Sequence, residues 1–270
     1  MSQCLSEVRL TPRALPWQTV LERSIETTPR AASLDERKDY YGNSVSLLSI
    51  LERHDQFSTV ATSLVRVDAR PEMIEATPAW EQVREDVAAQ RTAEAIDAVE
   101  FVFDSPYVTT GPELVAFAGG SFTAGRPLMA ALSDMTHRIH HEFTYKPTTT
   151  TIDTPVLETL RTRRGVCQDF AHLMIGALRS MGLPARYVSG YLRSGADYQG
   201  AEASHAWVSA FIPEHGWMDF DPTNDVIPGT GHITLAWGRD YGDVAPVKGV
   251  ALGGGKQVVE VEVRVDPVEG

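Results

Sequence analysis

Apolar residues recur every three or four positions from 167 to 181, at Phe170, Leu173, Met174, Ala177, Leu178 and Met181. That period predicts an amphipathic helix, ended by Gly182-Leu183-Pro184. Leu128, Met129, Leu132, Met135 and Ile139 form one stripe over 127–143 and predict a second. A third is expected from the Thr154 cap and Pro155 to the cations of Arg161-Thr162-Arg163-Arg164, with Gly165 supplying the positive φ that stops it. A fourth is expected near 79–92.

Alternation marks the strands. Runs at 45–51 and 57–67 lie in a stretch, 1 to about 70, that reads as mostly β. In the second half, 185–192 and 232–237 read as strands, and 204–211 alternates with His205, Trp207, Ser209 and Phe211 on one face. A short strand, 216–220, follows the turn Pro213-Glu214-His215-Gly216 and is closed by Asp221-Pro222. The cleanest alternation is 256–265, with valines at 259, 261, 263 and 265. Helices followed by an antiparallel sheet make an α+β plan. The expected organisation is a β-rich region over 1–75, a linker with bridging helices over 76–125, and an α+β core over 126–270.

This pattern places chemistry. Cys167, one of only two cysteines, falls in the first turn of its helix. There, unsatisfied N–H groups and the positive end of the dipole favour a thiolate. His205 on a strand and Asp221 at the end of the next supply a base and a carboxylate to orient it, in the order Cys, His, Asp. Hairpin parity sets a condition. A two-residue turn of Glu214-His215 would oppose Asp221 to Val208 and turn it away from His205. A bulge or an odd-length loop between Phe211 and Asp221 is therefore required. Asp219 shares the face of Asp221, so spacing does not separate the two.

The other histidines read as structural. His172 lies about 140° around the helix from Cys167, and His215 and His232 are expected at the surface. His137, His140 and His141 have metal-like spacing, but the helix offers no second ligand pair, so no metal is expected. Nor is there an acidic Asp-x-Asp-x-Asp-Gly calcium loop.

Gly-Val-Cys-Gln-Asp-Phe-Ala-His at 165–172, Ser-His-Ala-Trp at 204–207 and Gly-Trp-x-x-Phe-Asp-Pro-Thr-Asn at 216–224 resemble the bacterial transglutaminase-like proteins, often described as candidate cysteine proteases. Leu10-Thr11-Pro12-Arg13 and Asp39-Tyr40-Tyr41-Gly42-Asn43 resemble the family's β-rich N-terminal region, and 238–250 resembles its C-terminal signature. The resemblance implies a papain-like transglutaminase core with Cys167 as nucleophile, His205 as base and Asp221 as the orienting carboxylate. It favours Asp221 over Asp219. Tyr145 is a candidate second oxyanion donor, and Trp207 beside His205 either walls the site or belongs to the core, with the core reading at least as well supported. Family members usually open with an extra strand before the segment matching Glu7-Val8-Arg9-Leu10. Here either the start site is misassigned or the N-terminal sheet has lost that strand, and the loss would leave a sheet edge open to a second copy of the chain.

Composition narrows the partners. Twenty-four basic against thirty-six acidic residues leave a formal charge of −12, which argues against a general nucleic-acid role. No apolar run reaches the length of a membrane span, and the first thirty residues hold no hydrophobic signal segment. Two cysteines make no disulfide framework, and the cytoplasm is the expected compartment. The expected activity is thiol-dependent acyl transfer on a peptide or amide, without cofactor, and hydrolysis is favoured. Transfer to an amine, as in a protein-glutamine transglutaminase, and a non-catalytic protein-binding module are the alternatives.

Overall fold

A computed structural model describes residues 3–70, 77–90, 92–147, 150–195, 198–253 and 258–268. The N-terminal strands are β1 (Gln3–Val8), β2 (Gln18–Thr28), β3 (Ser33–Lys38), β4 (Ser44–Ile50) and β5 (Ser58–Val67). β2 and β5 form a long antiparallel ribbon with a register shift between Val20 and Glu22. Four helices follow: α1 (Trp80–Ala89), α2 (Ala93–Val99), α3 (Pro112–Ala118) and α4 (Leu128–Glu142). Then come β6 (Thr144–Tyr145), α5 (Val156–Thr162), β7 (Arg164–Gly165) and α6 (Cys167–Ser180). The chain closes with β8 (Ala185–Leu192), β9 (His205–Ile212), β10 (Gly216–Phe220), β11 (His232–Gly238), α7 (Tyr241–Val244) and β12 (Val247–Leu252).

α6 is the centre of the core. Phe170, Ala171, Leu173, Met174, Ile175, Ala177 and Leu178 are all buried, so the helix is covered on every side. It packs on the antiparallel sheet β10-β9-β8-β11, whose Ala206, Val208 and Ala210 join the same cluster. The expected bridging segment contributes Val83, Val87, Ala98, Leu114 and Phe117 to that cluster. Its helices are thus packed into the core, and do not span a gap between two parts.

The N-terminal sheet has the order β12-β1-β4-β3. β1 is therefore not an edge: β12, from the far end of the chain, pairs with it antiparallel from Gln3↔Leu252 to Val8↔Val247. The edge expected on β1 is filled. β3 is one true edge, and all six of its residues are exposed, with Asp35, Glu36, Arg37 and Lys38 among them. Charge of this density discourages strand addition.

Two buried amides join this region to the core. Gln18 donates to Thr234 O at 2.8 Å and accepts from Thr234 N at 2.8 Å. Asn43 donates to Trp237 O at 2.8 Å and accepts from Trp237 N at 3.0 Å. The side chains act as substitute strand residues along β11. Arg13, beside them, donates to Asn43 Oδ1 and lies 3.5 Å over the Trp237 ring.

Three local expectations need correction. Arg163, at φ 54°, ends α5, and Gly165 lies beyond it in β7. Pro155 holds the N-cap position of α5, while the Thr154 hydroxyl accepts from Thr151 N. No strand forms over 258–268, the described part of the alternating C-terminal run. Val263 N donates to Glu202 O and Ser194 N to Val265 O, which are loop contacts and not a ladder. Val258, Val259 and Val261 are exposed, and among the described residues no second strand lies beside them. No helix among the described residues is long and apolar enough to cross a membrane.

Candidate active site

α6 begins at Cys167 because Val166 before it is extended, at φ −119° and ψ −177°. Asp169, at the third helical position, turns its carboxylate back to accept from Val166 N at 2.8 Å and from the Thr150 hydroxyl at 2.7 Å. Burial pushes the Asp169 carboxyl up, against those two hydrogen bonds. Gly165 is needed for this turn. A Cβ there would lie 2.7 Å from Asp169 Cβ and 2.8 Å from its Oδ2. Gly165→Ala is therefore expected to cost about 1–3 kcal/mol of stability, read by urea unfolding. A neutral result would show that the first turn of α6 tolerates a shift of Asp169.

β6 pairs with β7 in parallel, Tyr145 beside Gly165, so Tyr145 stands next to the turn that carries Cys167. Its phenol is pushed up to about 12, by burial first and then by the charge of Cys167.

The hairpin β9–β10 meets the parity condition. Ile212 pairs with Gly216 and Phe220 with Val208, which leaves a three-residue loop, Pro213-Glu214-His215. Positive φ at Glu214 (67°) and Gly216 (78°) closes it. Asp221 continues this register onto the face of Trp207 and His205. His205 Nε2 meets Asp221 Oδ2 at 2.9 Å, and both side chains have no exposure to solvent.

Asp221 is the most heavily bonded group of the site. Its Oδ2 also meets His232 Nε2 at 3.2 Å and accepts from Asn224 Nδ2 at 2.8 Å. Its Oδ1 accepts from Thr223 N at 2.9 Å and Asn224 N at 3.3 Å. Burial raises the carboxyl pKa, but the charge and hydrogen bond of His205, with those of His232, outweigh it and hold Asp221 well below the usual range. Burial likewise lowers the His205 pKa, and the Asp221 charge followed by that of Cys167 more than reverses it, leaving the imidazole above its ordinary range.

His205 Nδ1 is buried and has no hydrogen-bond partner among the described residues, and Cys167 lies near enough for its charge to act on the imidazole. Contacts of this kind are commonly loose before substrate binds. A Cβ on Gly200 would lie 3.0 Å from His205 Nδ1 and 3.2 Å from Tyr145 Oη, so both polar atoms face one stretch of backbone. That stretch is held by Gln199 N donating to Asn224 Oδ1 at 2.7 Å. Cys167 itself is 9% exposed.

Sequence reasoning therefore placed Cys167, His205, Asp221 and Tyr145 in one neighbourhood. Asp219 goes elsewhere: it pairs with Arg70 at 2.9 Å. Trp207 is fully buried, stacked on His205 at 6.2 Å and edge-on to His232 at 5.3 Å. It packs the imidazoles and presents no face to a substrate. His232, expected at the surface, is 1% exposed and bonded to Asp221. The signal was parity. β11 pairs with β8 and β8 with β9, so Thr234, Gly190 and His205 lie in one row, and His232 is two residues from Thr234 on that face. Asn224 was visible as part of the Asp-Pro-Thr-Asn turn but carried no assigned role. His172 is structural as expected. Its Nε2 accepts from Tyr241 N, and burial holds it neutral, at about 4.

The matches to known proteins bear on the fold and the family. The family model for the transglutaminase-like superfamily matches residues 120–222, and that for the bacterial transglutaminase-like N-terminal region matches residues 1–66. An uncharacterized protein of Mycobacterium tuberculosis is 36% identical over 277 residues, covering 97% of this chain and 86% of its own. A protein-glutamine gamma-glutamyltransferase of Pseudomonas aeruginosa is 36% identical over 108 residues, which cover 37% of this chain and 16% of that protein. A solved structure of a candidate cysteine protease from Cytophaga hutchinsonii superimposes with a TM-score of 0.73 at 25% identity, over 93% of this chain and 81% of the other. With its helix-borne Cys167, its strand-borne His205 and an N-terminal sheet that matches as well, the chain belongs to the transglutaminase-like superfamily, in the group that carries the bacterial N-terminal region.

Proposed function

We propose that this protein is a thiol acyltransferase acting on peptide or amide substrates, with Cys167 as nucleophile, His205 as base and acid, and Asp221 as the group that orients and charges the imidazole. The observation that carries the reading is the buried His205–Asp221 pair, which leaves Nδ1 of the imidazole without a partner among the described residues. A carboxylate with this many donors keeps its charge, and that charge favours imidazolium next to thiolate.

The Cys167 thiolate attacks the amide carbonyl carbon, and the C=O π pair moves onto oxygen. The backbone N–H of Cys167, at the open start of α6, is placed to accept that charge, with the Tyr145 hydroxyl as the second donor. On collapse the C–N bond breaks, and His205 passes its proton to the leaving amine. The thioester then gives its acyl group to a second nucleophile, whose proton returns to His205 and whose attack frees the thiolate.

Water is the favoured acceptor, which makes the activity hydrolytic. A reducing compartment, the cytoplasm, suits the two free cysteines. The partner is a peptide or protein, and not a nucleic acid or a membrane. Incubation of the protein with a peptide library, with and without a fluorescent primary amine, tests the acceptor. Cleaved or deamidated peptides unaffected by the amine are expected. Amine incorporated into glutamine would assign the transamidating activity named for the Pseudomonas relative. No product of either kind, with Cys167 intact, would favour a binding module.

A further inference from the structure

We propose that His137, His141 and Asp225 form a transition-metal site that ties α4 to the loop carrying Asp221. His137 and His141 are four residues apart on α4 and so lie on one face, one turn from each other. Their rings are 4.1 Å apart, at 63°. Asp225 comes from 88 residues away along the chain, with its Oδ2 2.7 Å from His137 Nδ1 and 4.0 Å from His141 Nε2. One ligand atom from each of the three lies within 4.8 Å of the others. Tetrahedral zinc with ligand bonds of about 2.0–2.2 Å needs ligand atoms roughly 3.3–3.5 Å apart. Small side-chain rotations reach that spacing.

The third ligand is built into the fold. Asp225 sits at φ 53°, in the left-handed region, at the tip of a tight loop. Asp221 N donates to Val226 O at 2.9 Å, and Val226 N returns to Asp221 O at 3.4 Å. His140, on the same helix turn, meets Thr223 O through Nδ1 at 2.8 Å. The loop is thus fixed against α4 independently of any metal, so its carboxylate is held in place beside the histidine pair. Two imidazoles and one carboxylate suit zinc, nickel, cobalt or copper rather than calcium or magnesium. Both histidines are more than half exposed, which gives an ion entry and leaves a coordination position for water. Ordinary ion pairs of Asp225 with His137 and His141 would use the same atoms, and a zinc titration separates the two readings.

The test is isothermal titration of the full chain with Zn²⁺. It is done in a Cys167→Ala background, which removes the reactive thiol as a competing ligand. One equivalent is expected to bind. His137→Ala/His141→Ala should abolish that binding. Asp225→Asn, which keeps the loop's shape, should weaken it at least about tenfold. Circular dichroism checks that each variant is folded. Absence of binding up to 1 mM, roughly the weak limit for a specific ligand, would overturn the proposal. Binding that is unchanged in the histidine variant would overturn it equally, since the ion would then lie elsewhere.

Discussion

Asp221→Asn is expected to lower kcat/KM on an amide or peptide substrate by about 10⁴-fold while the chain stays folded. The amide fills the same volume but carries no charge, and its NH₂ would meet the donors of His205, His232 and Asn224. Asp221→Ala should go further and cost about 3–5 kcal/mol of stability, because it strips the partner from a buried ionised histidine. The pH profile separates the two effects. A lowered carboxyl pKa contributes stability above about pH 4 that is lost as pH falls through the folded value. A raised imidazole pKa contributes stability below about pH 6.5 that is lost as pH rises toward the folded value. The wild type should therefore exceed Asp221→Asn most between those limits. Buried neutral His172 works against stability on the acid side, but it is common to both proteins and cancels in the difference. Chemical denaturation across pH 4–9 reads this directly. A difference that does not vary with pH would contradict an ionised His205–Asp221 pair.

Gly190→Ala is expected to destabilise the protein by about 3 kcal/mol, the upper part of the range for overpacking a core. An added Cβ would lie 2.2 Å from Ile233 O and 2.2 Å from the Trp207 ring. Neither neighbour can yield. The carbonyl belongs to the adjacent strand β11, and Trp207 has no solvent-facing side into which to move. Displacing Trp207 also displaces the plane on which His205 stacks, so activity should fall more than stability alone explains. Gly229→Ala is the control, with nothing within 4 Å of its Cβ and an expected change within about 0.5 kcal/mol. Thermal unfolding and substrate turnover of the two variants, measured side by side, check both statements. Equal behaviour of the two would mean that the row through Gly190 and His205 repacks freely.

The local periods carried much of the fold. The 3.6-residue stripe of α6 and the alternation of β8, β9 and β11 are properties of short windows, and each appears where its pattern placed it. Parity went further and required a bulge or an odd-length loop, and the three-residue loop that brings Asp221 to His205 meets it. What windows do not hold is partnership between distant segments. The alternating valines after 257 have the pattern of a strand but, among the described residues, no strand beside them, whereas 247–252, a plainer run, completes the N-terminal sheet some 240 residues from β1. His232 was misread for a related reason. Its position at the start of a strand suggested solvent, and only the pairing of β11 with β8, together with the fold-back of 221–226, buries it on Asp221. Asp219 and Asp221 were equivalent by spacing, and the distant Arg70 is what separates them.

The proposed acyl transfer depends on His205 holding Cys167 as a thiolate. Its most direct test is the rate of iodoacetamide labelling at Cys167 as a function of pH, read by peptide mass spectrometry in wild type and His205→Ala. Buried Cys4 serves as the internal reference. Labelling of the wild type should persist well below pH ~8.5, where an ordinary thiol loses reactivity, and the mutant should lose that acid limb. If both proteins follow an ordinary thiol titration, or if Cys167 labels no faster than Cys4, the thiolate–imidazolium pair does not exist and the acyl-transfer reading falls with it.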